Sequence, residues 1–175
     1  MKNYKMFLVA IIALFLSACG GNVKLEGDAK EIASKNYKFS EVEIQLSEHA
    51  KSQIAKSNAF DKDKMHTSVM TLFKKHGLYS KSSPTKAVFK LTDIRVRHAL
   101  GAMVFGFLVG DDHIHGTVTV IDNGQTKESF NVKASYALGG VAGAVTSIRM
   151  AWLYRKFTEL SIQTFTGKSV YPDEE

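Results

Sequence analysis

His113-Ile114-His115 carries the plainest metal chemistry in the chain. On a strand, residues i and i+2 point to the same face, so both imidazoles can meet one ion. Asp111 and Asp112 stand beside the pair, and His98 precedes the intervening loop. A zinc site usually takes three or four protein ligands, and this pattern supplies two. The plainer reading is the polar, exposed start of a strand. Motifs for covalent or hydrolytic chemistry are missing: there is no G-x-S-x-G and no H-E-x-x-H. Gly139-Gly140-x-x-Gly143 precedes a helical pattern and could offer N–H groups to an anion. It lacks the Lys-Ser/Thr of a phosphate loop and follows a hairpin, so close helix–sheet packing is the expected role. The expectation is a protein that is not an enzyme and holds no cofactor.

Ala99–Gly110, ALGAMVFGFLVG, is a second unusual segment. Its twelve residues include three glycines and no charge, between Arg95, Arg97 and His98 on one side and Asp111-Asp112 on the other. It is too short to cross a bilayer. Two readings stand. It is a buried hairpin or loop packed on the Gly-rich helix start, or it is an exposed apolar tip anchored by Phe105 and Phe107.

Cys19 is the sole cysteine of 175 residues, which excludes an intrachain disulfide and a Cys-cluster zinc site. Lys2 and Lys5 open the chain, and Met6–Leu16 is an unbroken apolar run of 11 residues. A membrane span needs roughly 20 residues, so the run suits a signal-peptide core instead. Leu16-Ser17-Ala18-Cys19 then resembles the bacterial lipobox, with small side chains before the cysteine. In that chemistry the Cys19 thiolate attacks the glyceryl carbon of a diacylglycerol donor, displaces the donor's headgroup and becomes a thioether, and the Ala18–Cys19 bond is hydrolysed. Each buried CH₂ contributes about 0.8 kcal/mol, so two or three acyl chains hold firmly. Position 20 is Gly rather than Asp. The resemblance therefore implies delivery to the outer membrane, with the domain facing the periplasm and no group other than the lipid attached.

The elements that must position these residues follow from periodicity. Residues 1–18 form the signal peptide. Residues 19–38 have few apolar positions and read as a tether of roughly 60 Å at full stretch. A single domain spans 39–170, and 171–175 is a frayed tail. Phe39–Leu46 alternates as a strand, and Ser47–Asn58 is a short helix or a loop. Asp61 is an N-cap for a helix with Met65, Val69, Leu72 and Phe73 on one stripe, ending at His76-Gly77. Ala87–Arg97 is a strand whose alternation slips at Thr92-Asp93, predicting a bulge. His113–Ile121 and Glu128–Leu138 form a hairpin around Asn123-Gly124, a type I′ signal. A long helix runs to about Phe165, with Val141, Val145, Ile148 and Trp152 as its first apolar stripe and Arg149 on a polar side. The order β-α-β-β-β-α predicts an α+β two-layer sandwich. Its mostly antiparallel sheet would have about four strands, with two helices on one face.

Once residues 1–18 are removed, 21 basic and 17 acidic residues remain, a charge of +4. The excess lies in residues 47–86, with eight lysines against three acids. Lysine without arginine forks or interleaved aromatics reads as a solvated face, so no nucleic-acid partner is expected.

The strand Val88–Val96, the hairpin Gly116–Ala137, Gly139–Gly143 and the helix through Arg149 and Phe157 resemble an uncharacterised (DUF-type) family of bacterial lipoproteins. More loosely, the arrangement is similar to small α/β domains of outer-membrane assembly and secretion lipoproteins. That resemblance implies a non-catalytic accessory or interaction module in envelope assembly, transport or maintenance. It implies a membrane contact through the lipid and an envelope protein partner, and it is compatible with a homo-oligomer. The alternative expectation is a small-ligand or metal-binding lipoprotein that uses His113 and His115.

Overall fold

A computed structural model describes residues 19–25, 29–57, 59–105, 110–138 and 143–170. The strands are β1 (Cys19–Leu25), β2 (Glu41–Leu46), β3 (Thr85–Arg95), β4 (Asp112–Asp122) and β5 (Gln125–Tyr136). The helices are α1 (Ala29–Ser34), α2 (Glu48–Ser57), α3 (Lys62–Lys75), α4 (Ala99–Phe105) and α5 (Thr146–Thr166). The strands make one sheet in the order β1-β5-β4-β3-β2. All pairs are antiparallel except β2–β3, which is parallel and joined through α2 and α3. The expected α+β class and mostly antiparallel sheet are correct, but the described residues hold five strands and five helices rather than four and two.

The extra strand corrects the tether. Cys19–Leu25 pairs with β5 along its whole length, and α1 packs on α5 through the buried Ile32. Only Val23 and Leu25 of β1 touch the core, so the strand owes its place to its partner and not to a strong pattern of its own. Gly21 is needed there. A Cβ at this position would lie 2.5 Å from both the Lys133 carbonyl oxygen and Leu160 Cδ1.

Alternation places the core. On β4, Ile114, Val118 and Val120 are buried while His113, His115, Thr117 and Thr119 face the other side. On β5, Phe130, Val132, Ala134 and Tyr136 point inward. The helices cover this inner face with Met65, Val69 and Phe73 of α3 and Leu153, Phe157 and Phe165 of α5. Phe165 meets Phe39 and Phe130 at ring distances of 4.8 and 5.3 Å. Buried Thr158, Ser161 and Thr164 donate their hydroxyl protons to carbonyls four residues back, so these three hydroxyls are satisfied within α5.

Three local signals are realised. Asp61 Oδ1 accepts from the Asp63 and Lys64 amides at 3.0 and 2.9 Å, capping α3. Asn123 and Gly124 both have positive φ, 48° and 80°, as a type I′ turn requires. The β3–β4 register shifts between Leu91 and Asp93, with Thr92 as the extra residue. The bulge lets Phe89, Leu91 and Ile94 all enter the core, whereas an unbroken alternation would have turned Ile94 outward.

The start of α5 departs from its expected stripe. Val145 and Ile148 are exposed, and Arg149 is fully buried. The helix is rotated at this end because Arg149 has a carboxylate to meet inside the fold.

Candidate functional site

One end of the sheet gathers most of the candidate residues. Cys19 pairs with Tyr136, and Tyr136 pairs with Asp112, so the β1 start, the β5 end and the β4 start lie side by side. The end of β3 and the helix α4 adjoin them. Here Asp112 is completely buried between two guanidinium groups. Arg149 Nη1 donates to its two oxygens at 2.7 and 2.6 Å, and Arg97 Nη2 donates at 3.0 Å. The Arg97 amide adds a bond of 2.6 Å. The spare donors reach backbone: Arg97 bonds the carbonyls of Gly110 and Tyr136 at 2.9 and 3.0 Å, and Arg149 bonds that of Arg97 at 3.1 Å. One carboxylate thus ties together the end of β3, the return into β4, the end of β5 and the start of α5. Buried ion pairs are poor sources of net stability but hold geometry firmly.

On this base stands an apolar surface. Leu100 and Val104 are each 66% exposed, Phe105 56% and Ile148 51%, with Met103, Leu138 and Val145 beside them. These are all the exposed large hydrophobic side chains among the described residues. The described part of Ala99–Gly110 opens with a short helix, Ala99–Phe105, that buries only Ala102 and exposes Leu100, Met103, Val104 and Phe105. Gly143 seats α5 against that helix, since a Cβ there would lie 3.0 Å from the Ala102 carbonyl oxygen. This close contact is with α4 rather than the helix–sheet contact expected for the glycines. Phe107, Gly139, Gly140 and the lipobox residues Leu16, Ser17 and Ala18 lie outside the described residues.

The histidine pair sits on the open face of the sheet, near the same end. His113 and His115 stack with ring centres 4.4 Å apart and planes 20° apart. His113 Nδ1 lies 3.0 Å from Asp111 Oδ1, and its Nε2 lies 3.1 Å from Asp93 Oδ2. His115 Nδ1 is 3.7 Å from the same Asp93 oxygen. Asp93 is the residue the β3 bulge delivers to this face. Gln53 of α2 fixes it, donating to Asp93 Oδ1 at 2.6 Å while accepting from the Ile94 amide at 2.7 Å. Burial opposes ionisation of Asp93, but the Gln53 amide and His113 outweigh it and hold the carboxyl below its ordinary range. Burial, then repulsion from His113, pushes His115 down. Asp112 and His98 do not join this cluster.

Asp93 is absent from the expected site residues, because a slip at Thr92-Asp93 does not by itself say which face Asp93 takes. Asp112 is expected among the polar residues, although it is in phase with inward Ile114 and Val118. That phase was the available signal.

Together these features define an α+β domain with an apolar end beside its first strand and a histidine–carboxylate cluster on its open face. No protein-family model matches the chain, and no curated protein does. Among solved structures it is similar to a PelC dodecamer from Paraburkholderia phytofirmans carrying the substitution L103M. The identity is 11% and the TM-score 0.39, over 79% of this chain and 97% of that one. A second crystal form of the PelC dodecamer from that organism gives 9% identity, a TM-score of 0.38 and the same coverage. Overlap at this level does not establish a shared fold. Among the described residues no helix is long and apolar enough to cross a membrane.

Proposed function

We propose that this chain is an outer-membrane lipoprotein, acylated at Cys19, that acts without catalysis as an accessory module in envelope assembly, transport or maintenance. One observation carries the reading. The residue that would bear the lipid opens the strand at the end of the sheet where the exposed apolar side chains cluster. Acyl chains leaving Cys19 and the side chains of Leu100, Val104 and Phe105 would enter the same leaflet. The anchor is then no loose leash. It holds the domain close, with the Asn123-Gly124 hairpin pointing into the periplasm. The open edges of β1 and β2 remain for an envelope protein partner or a second copy. Gly20 after the acylated cysteine supports the outer membrane as the destination.

Palmitate labelling of the full chain in cells tests the anchor. Label that disappears in Cys19→Ala is expected, and normal labelling of that variant overturns the reading. Vesicle flotation tests the apolar end separately. Leu100→Ser, Val104→Ser and Phe105→Ser together should leave the melting temperature nearly unchanged, because these side chains are already exposed. Partition of the unacylated chain should fall about tenfold or more, from the apolar area lost to lipid. Undiminished partition removes α4 from the contact.

A further inference from the structure

The open face of the sheet carries a group that neither the anchor nor the apolar end uses. We propose that Asp93, His113 and His115 form a binding site for one divalent transition-metal ion of the zinc or copper kind. The site does not depend on how the chain is anchored.

Each of the three residues offers a ligand atom, and these atoms all lie within 4.8 Å of one another. Ligands about 2.0–2.2 Å from a common ion stand roughly 3–3.6 Å apart, close to the 3.1 and 3.7 Å separations around Asp93 Oδ2, and the stacked rings must turn for both lone pairs to meet one ion. Two imidazoles and one carboxylate are a donor set for zinc, copper or nickel rather than for calcium or magnesium. The neighbours are placed as a metal site needs them. Asp111 on Nδ1 of His113 favours the tautomer that carries its proton there, which turns the Nε2 lone pair toward Asp93. Gln53 holds Asp93 through Oδ1, leaving Oδ2 as the shared atom. Simple ion pairing accounts for His113, which has a carboxylate on each nitrogen. His115 stacks on His113 and turns its Nδ1 toward the same Asp93 oxygen at 3.7 Å, beyond hydrogen-bond reach. A cation between the ring nitrogens and Asp93 would give the second imidazole its purpose. The β3 bulge belongs to the same design, since it turns Asp93 to the histidine face. Lys133 lies opposite His115 in the β4–β5 register and repels a cation.

The test uses the full chain in detergent, purified without a histidine tag, and titrated with Zn²⁺ alone by calorimetry. One ion per chain should bind with a dissociation constant of about 10 μM or tighter. His113→Asn and His115→Gln should each weaken it at least about tenfold, a loss of about 1.4 kcal/mol. His66→Gln, on α3, should change nothing. Lys133→Ser should bind several-fold tighter, a gain that no unfolded variant can mimic. Co²⁺ uptake read from its visible spectrum gives a second measure of nitrogen ligation. No uptake by the natural chain, or uptake that survives His113→Asn with His115→Gln, overturns the site.

Discussion

Asp112 is the side chain whose loss the fold should feel most. It is fully buried and receives charged hydrogen bonds from both Arg97 and Arg149. Asp112→Asn keeps the shape and removes the charge, leaving two buried guanidinium groups without a counter-ion. Such a change should cost about 3–5 kcal/mol, read as a lower urea midpoint at an unchanged slope. Arg149→Met leaves Asp112 paired with Arg97 and should cost less. Equal losses for the two would mean that the network is not organised around the carboxylate. Tyr154 gives a second test at this scale. Its phenol oxygen accepts from the Asp61 amide at 2.8 Å, and burial pushes the phenol up to about 12 from an ordinary 10.0. The unfolded chain therefore loses this proton first. The contribution of Tyr154 is complete below pH 10 and disappears as pH rises toward 12. Phenolate absorbance should show a late-titrating tyrosine that is gone in Tyr154→Phe; unchanged late titration in that variant would contradict the assignment. Little of this was legible beforehand. Periodicity marked Arg149 as polar, and only the phase of Asp112 with Ile114 hinted at an inward carboxylate.

Among the elements, β1 is the one most dependent on context. The strand carries Gly20 and Gly21 directly after Cys19, and Val23 and Leu25 are its contributions to the core, so no alternation of its own announces it. Its neighbours were readable for the opposite reason: β4 alternates from Asp112 to Val120 and β5 from Phe130 to Tyr136, and the two are joined by a turn whose residue types demand positive φ. The same contrast holds for the helices. The Asp61 cap and the Met65–Val69–Phe73 stripe announced α3, whereas α4 is too short to show a period. Gly21→Ala tests how β1 is held. The new Cβ would press on a backbone carbonyl that cannot step aside as a side chain can. Hydrogen exchange should show the β1 amides losing protection while those of β3 and β4 keep theirs. Unchanged protection across β1 would show that α5 and β5 have room to spare.

At the scale of the whole molecule, the sheet has two distinct ends. One holds the Asn123-Gly124 turn and the aromatic packing around Phe165. The other holds Cys19, the Asp112 network and the exposed surface of α4. The lipobox resemblance points to an anchor from the first residues, but not to the geometry that anchor would have. Under the proposed anchoring, a tether would let the domain tumble, whereas a paired first strand would set which end faces the bilayer. That polarity is the central claim, and depth-dependent fluorescence quenching tests it most directly. With Cys19 acylated, a single cysteine introduced at Val104 or at Lys127 takes one environment-sensitive dye, because the natural chain has no other thiol. On vesicles containing brominated lipid, the dye at position 104 should be strongly quenched and blue-shifted, and the dye at position 127, beside the hairpin turn, should behave as in water. Equal exposure of both positions to water, or quenching at 127 alone, would contradict the account.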